Sequence, residues 1–170
     1  MHIILQMIIK DSMVVIHLAK ITLLEKSCDY FKNVAIPEKV YEEVLAGKEK
    51  GYSEVSIIET LIINKKISMK KVGEETLLKK ANEFNIHKGE AEAVALYWQN
   101  KADFLAIDDD NVRKKSTILN IRTIGTPSII LKLYKEKIIE KDKTINSLNE
   151  LKKIGWFSNA IIDKILMEIK

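Results

Sequence analysis

The chain has 170 residues, of which 46% are hydrophobic and 31% are charged. This balance is typical of a globular protein and excludes an intrinsically disordered one, and the length predicts a single domain over residues 1–170. Cys28 is the only cysteine, so a disulfide framework and a cysteine-based zinc site are excluded and a reducing, cytoplasmic location is expected. No apolar run is long enough to cross a bilayer, and the net charge of +4 is compatible with a polyanionic partner.

Strands and helices alternate along the sequence. The hydrophobic patterns predict strands at 3–9, 34–36, 67–72, 104–107 and 121–124. They predict a helix after Asp11-Ser12, further helices at about 21–31, 38–46, 53–63, 74–85, 89–100, 110–119 and 127–138, and a C-terminal helical hairpin over about 144–170, broken at Gly155. Pro37 precedes the helix 38–46, and Gly47 is expected at its C′ position. This alternation predicts an α/β fold with a mostly parallel sheet of four to five strands, covered by helices on both faces.

Acidic residues lie at the ends of the predicted strands or in the first turns of neighbouring helices. Because the carboxyl ends of parallel strands share one edge of a sheet, we expect these side chains to converge. Convergent carboxylates repel one another unless a cation neutralises them, and a site with only oxygen ligands suits Mg²⁺ or Mn²⁺. The residues are Asp11 after the first strand, Asp108, Asp109 and Asp110 after the fourth, Glu43 in the second turn of its helix and Glu90 in the first turn of another.

A hard divalent ion at such an edge activates water and stabilises a phosphodiester during in-line displacement, so the acidic set predicts metal-dependent phosphoryl hydrolysis. Each acid also has a structural explanation when it is taken alone. Asp11 suits a helix N-cap, Glu43 a solvated helix face, and Glu90 the positive end of a helix dipole. One of the three consecutive aspartates is expected to cap the next helix, with Asp110 as the best candidate. The joint placement of the acids is what favours a site.

Four stretches carry a family resemblance in their order along the chain: Asp11-Ser12 with Ile16-His17-Leu18, the stretch 36–44, Gly89-Glu90-Ala91-Glu92-Ala93, and Asp108-Asp109 with Arg113. Together they resemble the PIN-domain family, and in particular the prokaryotic VapC-like toxin ribonucleases whose members run to nearly this length. The resemblance covers about the whole chain, including Gly125-Thr126 before a helix and the tail 148–166. Glu90 stands where many VapC-like ribonucleases carry Asp.

The resemblance implies a three-layer α/β/α fold and a divalent-metal-dependent endoribonuclease that hydrolyses single-stranded RNA, as the toxin of a toxin-antitoxin pair. An antitoxin partner and a homodimer are implied by the resemblance alone. Which of Asp108 and Asp109 contacts the metal stays open. By the resemblance, the catalytic residues are Asp11, Glu43, Glu90 and Asp108, and the candidate ligands of Mg²⁺ or Mn²⁺ are these four and Asp109.

Basic and hydroxyl residues near the acidic edge are candidates for supporting roles. Ser12 or Thr126 could orient a water or a carboxylate by hydrogen bonding. Four basic residues are expected to contact the RNA backbone, namely Lys10, Arg113, Lys114 and Lys115. A solvated basic helix face explains these residues equally well.

The alternative function is a catalytically inactive PIN-fold protein that binds RNA or regulates a partner.

Overall fold

A parallel sheet forms the centre of the computed structural model, which describes residues 6–154 and 157–169. Its strands are β1 (Met7–Lys10), β2 (Asn33–Pro37), β3 (Ser68–Lys70), β4 (Phe104–Ala106) and β5 (Thr123–Ile124). They pair in the order β3-β2-β1-β4-β5, and every pairing is parallel. The predicted α/β fold is confirmed, while the start of the first predicted strand and Gly155 lie outside the described residues.

The strand order reverses beside β1, the central strand. In the β1 register, Ile8 pairs with Val34 of β2 on one side and with Phe104 of β4 on the other. After β1 the chain adds β2 and β3 on one side of it and then crosses over to add β4 and β5 on the other side. The gap between the ends of β1 and β4 is therefore a topological switch point. The backbone N–H of Asp11 donates to the carbonyl oxygen of Ala106 at 2.9 Å and ties the two strand ends together.

Helices cover both faces of the sheet. In chain order the described helices are α1 (Ser12–Lys20), α2 (Leu24–Phe31), α3 (Glu38–Glu49), α4 (Glu54–Ile63), α5 (Glu75–Glu83), α6 (Lys88–Asn100), α7 (Asp110–Lys114), α8 (Ser116–Leu119), α9 (Thr126–Lys135), α10 (Lys141–Ile154) and α11 (Asn159–Leu166). Helices α10 and α11 form the expected C-terminal hairpin and pack against α9. No helix in the described ranges is long and apolar enough to span a bilayer.

Alternation along β1 divides the hydrophobic core into two. Ile8 points into a large cluster with residues of α1 to α4 and α9 to α11, whereas Ile9 points into a smaller one on the opposite face. Both side chains are fully buried. Small residues such as Ala91 and Ala93 line the α6 side of the second cluster, so α6 can lie close to the sheet. That close packing brings the start of α6 to the switch point.

Two predicted helix boundaries were wrong. Helix α3 does not end at Gly47 but continues to Glu49, and Gly51 adopts the left-handed conformation beyond its end, with φ 80°. Gly47 is needed for close packing instead, because a Cβ there would lie 2.9 Å from Cδ2 of Tyr52. The helix predicted over 110–119 is two short helices, α7 and α8, which meet at Lys115. The other predicted helices differ from the observed ones by a few residues at their ends.

Candidate active site at the switch point of the sheet

Asp11 lies where β1 ends and α1 begins. Its backbone is extended, as at an N-cap, but its carboxylate makes no capping hydrogen bond. The residue is only 3% exposed. Burial raises the pKa of Asp11 to about 7, and the Glu43 and Glu90 carboxylates add to the rise, while the amides of Ser12 and Met13 oppose it. The first predicted acid is therefore a buried carboxyl group that other acids face.

Glu43 lies on α3, and its side chain reaches this edge where α3 comes close to the start of α6. The side chain is exposed, and its carboxylate lies against the backbone of Gly89. A Cβ at Gly89 would collide with Oε1 of Glu43 and lie 3.1 Å from its Cδ. A second link joins the helices, since the Lys39 amide donates to Oε2 of Glu92 at 3.1 Å. Gly89 therefore makes room for the acid predicted from sequence, a role that the sequence analysis missed.

Glu90 follows Gly89 in the first turn of α6 and is half-buried. Burial raises the pKa of this carboxyl group, and the negative charges of Asp109 and Glu43 raise it further. The structure thus couples acids from α3, α6 and the segment after β4. Together with Asp11, they form the acidic edge, which we define as Asp11, Glu43, Glu90 and Asp109.

Asp108 and Asp109 have different surroundings although they are adjacent in the chain. The Asp108 side chain is 6% exposed and both of its oxygens are occupied. Oδ1 accepts from the backbone N–H of Thr126 at 2.7 Å, and Oδ2 accepts from the Thr126 hydroxyl at 2.6 Å. Oδ2 also lies 2.9 Å from Nδ1 of His17. Thr126 thus hydrogen-bonds the Asp108 carboxylate through both its backbone N–H and its hydroxyl.

Asp109, and not Asp110, caps the next helix. Its Oδ1 accepts from the backbone N–H groups of Asn111 at 2.9 Å and Val112 at 3.2 Å. The prediction that Asp110 is the cap was wrong, because β4 ends at Ala106 and α7 already includes Asp110. No described residue donates a hydrogen bond to Oδ2 of Asp109.

His17 lies at the site although the sequence analysis assigned it no role there. It is 1% exposed on α1, and its ring meets that of Phe157 edge-on with centroids 5.2 Å apart. Nδ1 contacts Asp108, while Nε2 is buried without a partner among the described residues. The signals in the sequence were its position on the helix that follows Asp11, six residues later, and its place in the stretch that resembles PIN domains.

Comparison with protein-family models matches residues 7–170 to a family described as a PIN domain. The chain belongs to the PIN-domain family. No match was found among curated proteins or among solved structures. PIN domains are in general nucleases that bind nucleic acid and use divalent metals. The general class of this PIN domain is therefore that of the nuclease-type hydrolases. The predicted family is confirmed, and its VapC-like branch stays a prediction.

The acidic edge of this PIN domain offers carboxylate oxygens, which are the donors that suit a hard divalent ion. Its four members are carboxylates, and none of them forms an ion pair with any described residue. Glu43 and Glu90 help to raise the pKa of Asp11, and Asp109 and Glu43 help to raise the pKa of Glu90, and a divalent cation would lower both. Within residues 6–154 and 157–169, however, no three acidic, His or Cys side chains already stand in a metal-binding arrangement.

The basic residues predicted to hold RNA divide into two groups. Lys10 is fully buried, its ammonium donates to the hydroxyl of Ser27, and burial lowers its pKa, so its predicted contact with RNA was wrong. Lys115 donates to the carbonyl oxygen of Phe84 at 2.7 Å. Lys114 is exposed and Arg113 is half-buried. Of the four, Arg113 and Lys114 thus stay candidates for contact with RNA.

Arg113 lies in a cavity of about 270 Å³ between the segment after β4 and the start of α11. Its Nη1 would be 3.0 Å from a Cβ at Gly125, so glycine there makes room for the guanidinium. Ser12, the other predicted supporting residue, is buried, and its hydroxyl makes no hydrogen bond with any described residue. The cavity is lined by Asp108, Asp109, Asp110, Arg113, Phe157, Ser158 and Ile161.

Proposed function

We propose that this PIN domain is a divalent-metal-dependent endoribonuclease that hydrolyses single-stranded RNA. The observation that carries the proposal is the buried Asp11 carboxyl group, whose pKa of about 7 is raised in part by Glu43 and Glu90, which come from two other elements of the fold. Such a group is costly to ionise unless a cation binds beside it. Family membership adds the general nuclease chemistry of PIN domains.

The acidic edge would hold Mg²⁺ or Mn²⁺ through Asp11, Glu43, Glu90 and Asp109. When bound, such an ion polarises the phosphodiester and makes water a stronger nucleophile. Asp109 is assigned here in preference to Asp108 because its Oδ2 makes no hydrogen bond with a described residue, whereas three donors surround the Asp108 carboxylate. Asp108 then acts as a positioning residue that fixes α1 and α9 at the edge.

The other side chains at the edge bind and orient the substrate. Arg113 and Lys114 lie on α7, directly after the acids, and are placed to contact phosphates of the RNA backbone. The deprotonated form of Asp11 is the one that binds a cation, so metal binding releases a proton from this group at neutral pH. Activity should therefore rise with pH through about 7, the pKa of Asp11.

Cleavage assays with a labelled single-stranded RNA test the proposal. Mn²⁺ or Mg²⁺ should support cleavage and a chelator should abolish it. Asp11→Asn and Glu90→Gln should each lower the rate by more than about 100-fold, the upper end of losses seen when groups that only support metal ligands are removed. Asp142→Asn, a change at an exposed acid on α10, is the matched control and should leave the rate unchanged. Wild-type rates for both Asp11→Asn and Glu90→Gln would show that the site is wrong.

A catalytically inactive RNA-binding protein is the second candidate function. It is favoured by the finding that, within the described ranges, no three metal-binding side chains are already grouped. RNA binding without cleavage in either metal, at any pH from 6 to about 9, would support this alternative. The toxin role, the antitoxin partner and the homodimer are also proposals, carried by the resemblance to VapC-like ribonucleases. Growth arrest on expression, relieved by Asp11→Asn, would support the toxin role.

A further inference from the structure

An apolar pocket of about 300 Å³ opens beside the acidic edge, between α1, α3 and α4. Val44, Val55 and Ile58 form its buried floor. Met13 and Ile16 contribute one wall from α1, and the side chains of this wall are only half-buried. The sequence analysis assigned no role to this surface, which is continuous with the acidic edge because Glu43 lines the pocket as well.

The mouth of the pocket carries an aromatic ring and two cations. Tyr52 is 54% exposed. It packs on α3 at Gly47, where no Cβ intervenes. The ammonium of Lys20 lies 5.8 Å from the centre of the ring, and Lys50 also lines the pocket. An exposed aromatic ring flanked by positive charge is the combination with which proteins bind a base and its phosphate.

We propose that this pocket, which we call the Tyr52 pocket, receives one nucleobase of single-stranded RNA next to the cleaved phosphodiester. This inference rests on the proposed function, since Glu43 links the pocket to the acidic edge. A base held there would replace the Lys20 ammonium over the Tyr52 ring and lie against the apolar floor, while Lys20 and Lys50 contact its phosphates. Bases in a duplex are paired and stacked, so a pocket of this kind selects unpaired RNA.

Positive charge at the mouth favours a nucleotide over an apolar side chain of a protein partner. A partner side chain would be recognised by the apolar walls alone and would gain nothing from Lys20 and Lys50. A nucleotide uses both parts of the surface, since its base is flat and largely apolar and its phosphate is anionic. Glu54, at the rim, can accept hydrogen bonds from the amino groups of a base.

Nuclear magnetic resonance of isoleucine methyl groups tests the proposal without requiring cleavage. The full-length protein would be titrated with a short single-stranded RNA and with an oligonucleotide of equal length that lacks the bases. The RNA should shift the methyl signals of Ile16 and Ile58 and leave that of Ile118, which is 71% exposed on α8, unchanged. The abasic oligonucleotide should shift the first two signals far less. Equal shifts with both oligonucleotides would overturn the proposal.

Substitutions at Tyr52 provide the second test. Tyr52→Ala should weaken RNA binding about tenfold, as expected for the loss of one base–aromatic contact, and Tyr52→Phe should restore it. Gly47→Ala, which displaces the ring, should behave like Tyr52→Ala. Unchanged affinity in Tyr52→Ala would overturn the Tyr52 pocket. RNA that shifts Ile16 and Ile58 but is never cleaved would support the pocket and overturn the proposed nuclease, whereas cleavage without these shifts would overturn the pocket alone.

Discussion

The backbone of Gly89 lies directly against the carboxylate of Glu43, so that a side chain at position 89 would collide with it. This contact lets the Glu43 carboxylate lie against the start of α6 at the acidic edge. It also explains why a glycine is used within the first turn of a helix, where it costs up to about 1 kcal/mol relative to alanine. The helix gives up local stability so that one acid can pass close to another helix.

Gly89→Ala should therefore separate stability from activity. The new methyl group displaces the end of a flexible glutamate, a small cost that the better helix propensity of alanine offsets. We expect the free energy of unfolding in urea to change by less than about 1 kcal/mol, while metal-dependent RNA cleavage falls at least tenfold. Gly73→Ala is the matched control, because a Cβ there meets only Oε1 of Gln99 at 3.8 Å. Equal cleavage by Gly89→Ala and wild type would show that the position of Glu43 does not matter.

Asp108→Asn should lower the stability of the protein, whereas Asp109→Asn should abolish metal binding. Asn at 108 offers one acceptor to the donors of Thr126 and His17 and turns an amide towards them, so we expect a loss of about 1–3 kcal/mol in the free energy of unfolding. Asn at 109 can still cap α7 and should change that free energy by less than about 0.5 kcal/mol. Manganese binding, measured by calorimetry, should be lost in Asp109→Asn. Loss of manganese binding in Asp108→Asn alone would reverse the assignment.

The strand-end acids could be predicted from sequence because their placement depends only on the direction of the chain along each strand. Asp11 and Asp108 follow buried parallel strands, and such strand ends share one edge whatever the helices do. The roles of His17 and Gly89 depend on which faces of α1, α3 and α6 meet, and the periodicity of one helix does not contain that information. The helix cap was misplaced by one residue for a similar reason, since the end of β4 at Ala106 is fixed by pairing with β1 and β5.

Lys10→Met should stabilise the protein. Lys10 is fully buried and its pKa is lowered first by burial, so the folded protein disfavours its charged form, which the unfolded chain carries at neutral pH. Methionine fills a similar space without this cost, and we expect the free energy of unfolding to rise by about 1 kcal/mol or more at pH 7. RNA affinity should not change, in contrast to Lys114→Met, which should weaken it. Weaker RNA binding by Lys10→Met would restore the predicted contact with the backbone.

The stability of the metal-free protein should fall as the pH rises through the range in which Asp11 ionises. Its pKa is raised from 3.8 to about 7 in the folded state, so between these values the folded protein keeps a proton that the unfolded chain has released. The contribution of this group to stability is therefore complete below about pH 4 and lost as the pH approaches 7. Each pH unit in that window costs about 1.4 kcal/mol, which gives a total of about 4 kcal/mol. Burial raises the pKa of Glu90 too, which adds to the loss in the same direction.

Urea unfolding from pH 4 to 8, with and without Mn²⁺, measures this dependence. Asp11→Asn cannot ionise at this position and should have a flatter profile than wild type, whereas Asp142→Asn, at an exposed acid, should match it. Mn²⁺ should stabilise the wild-type protein most at the upper end of the range, because the ionised form of Asp11 is the one that binds a cation. Parallel profiles for Asp11→Asn and wild type would show that Asp11 is not the group that ionises, and the absence of any stabilisation by Mn²⁺ at pH 8 would contradict its role as a ligand.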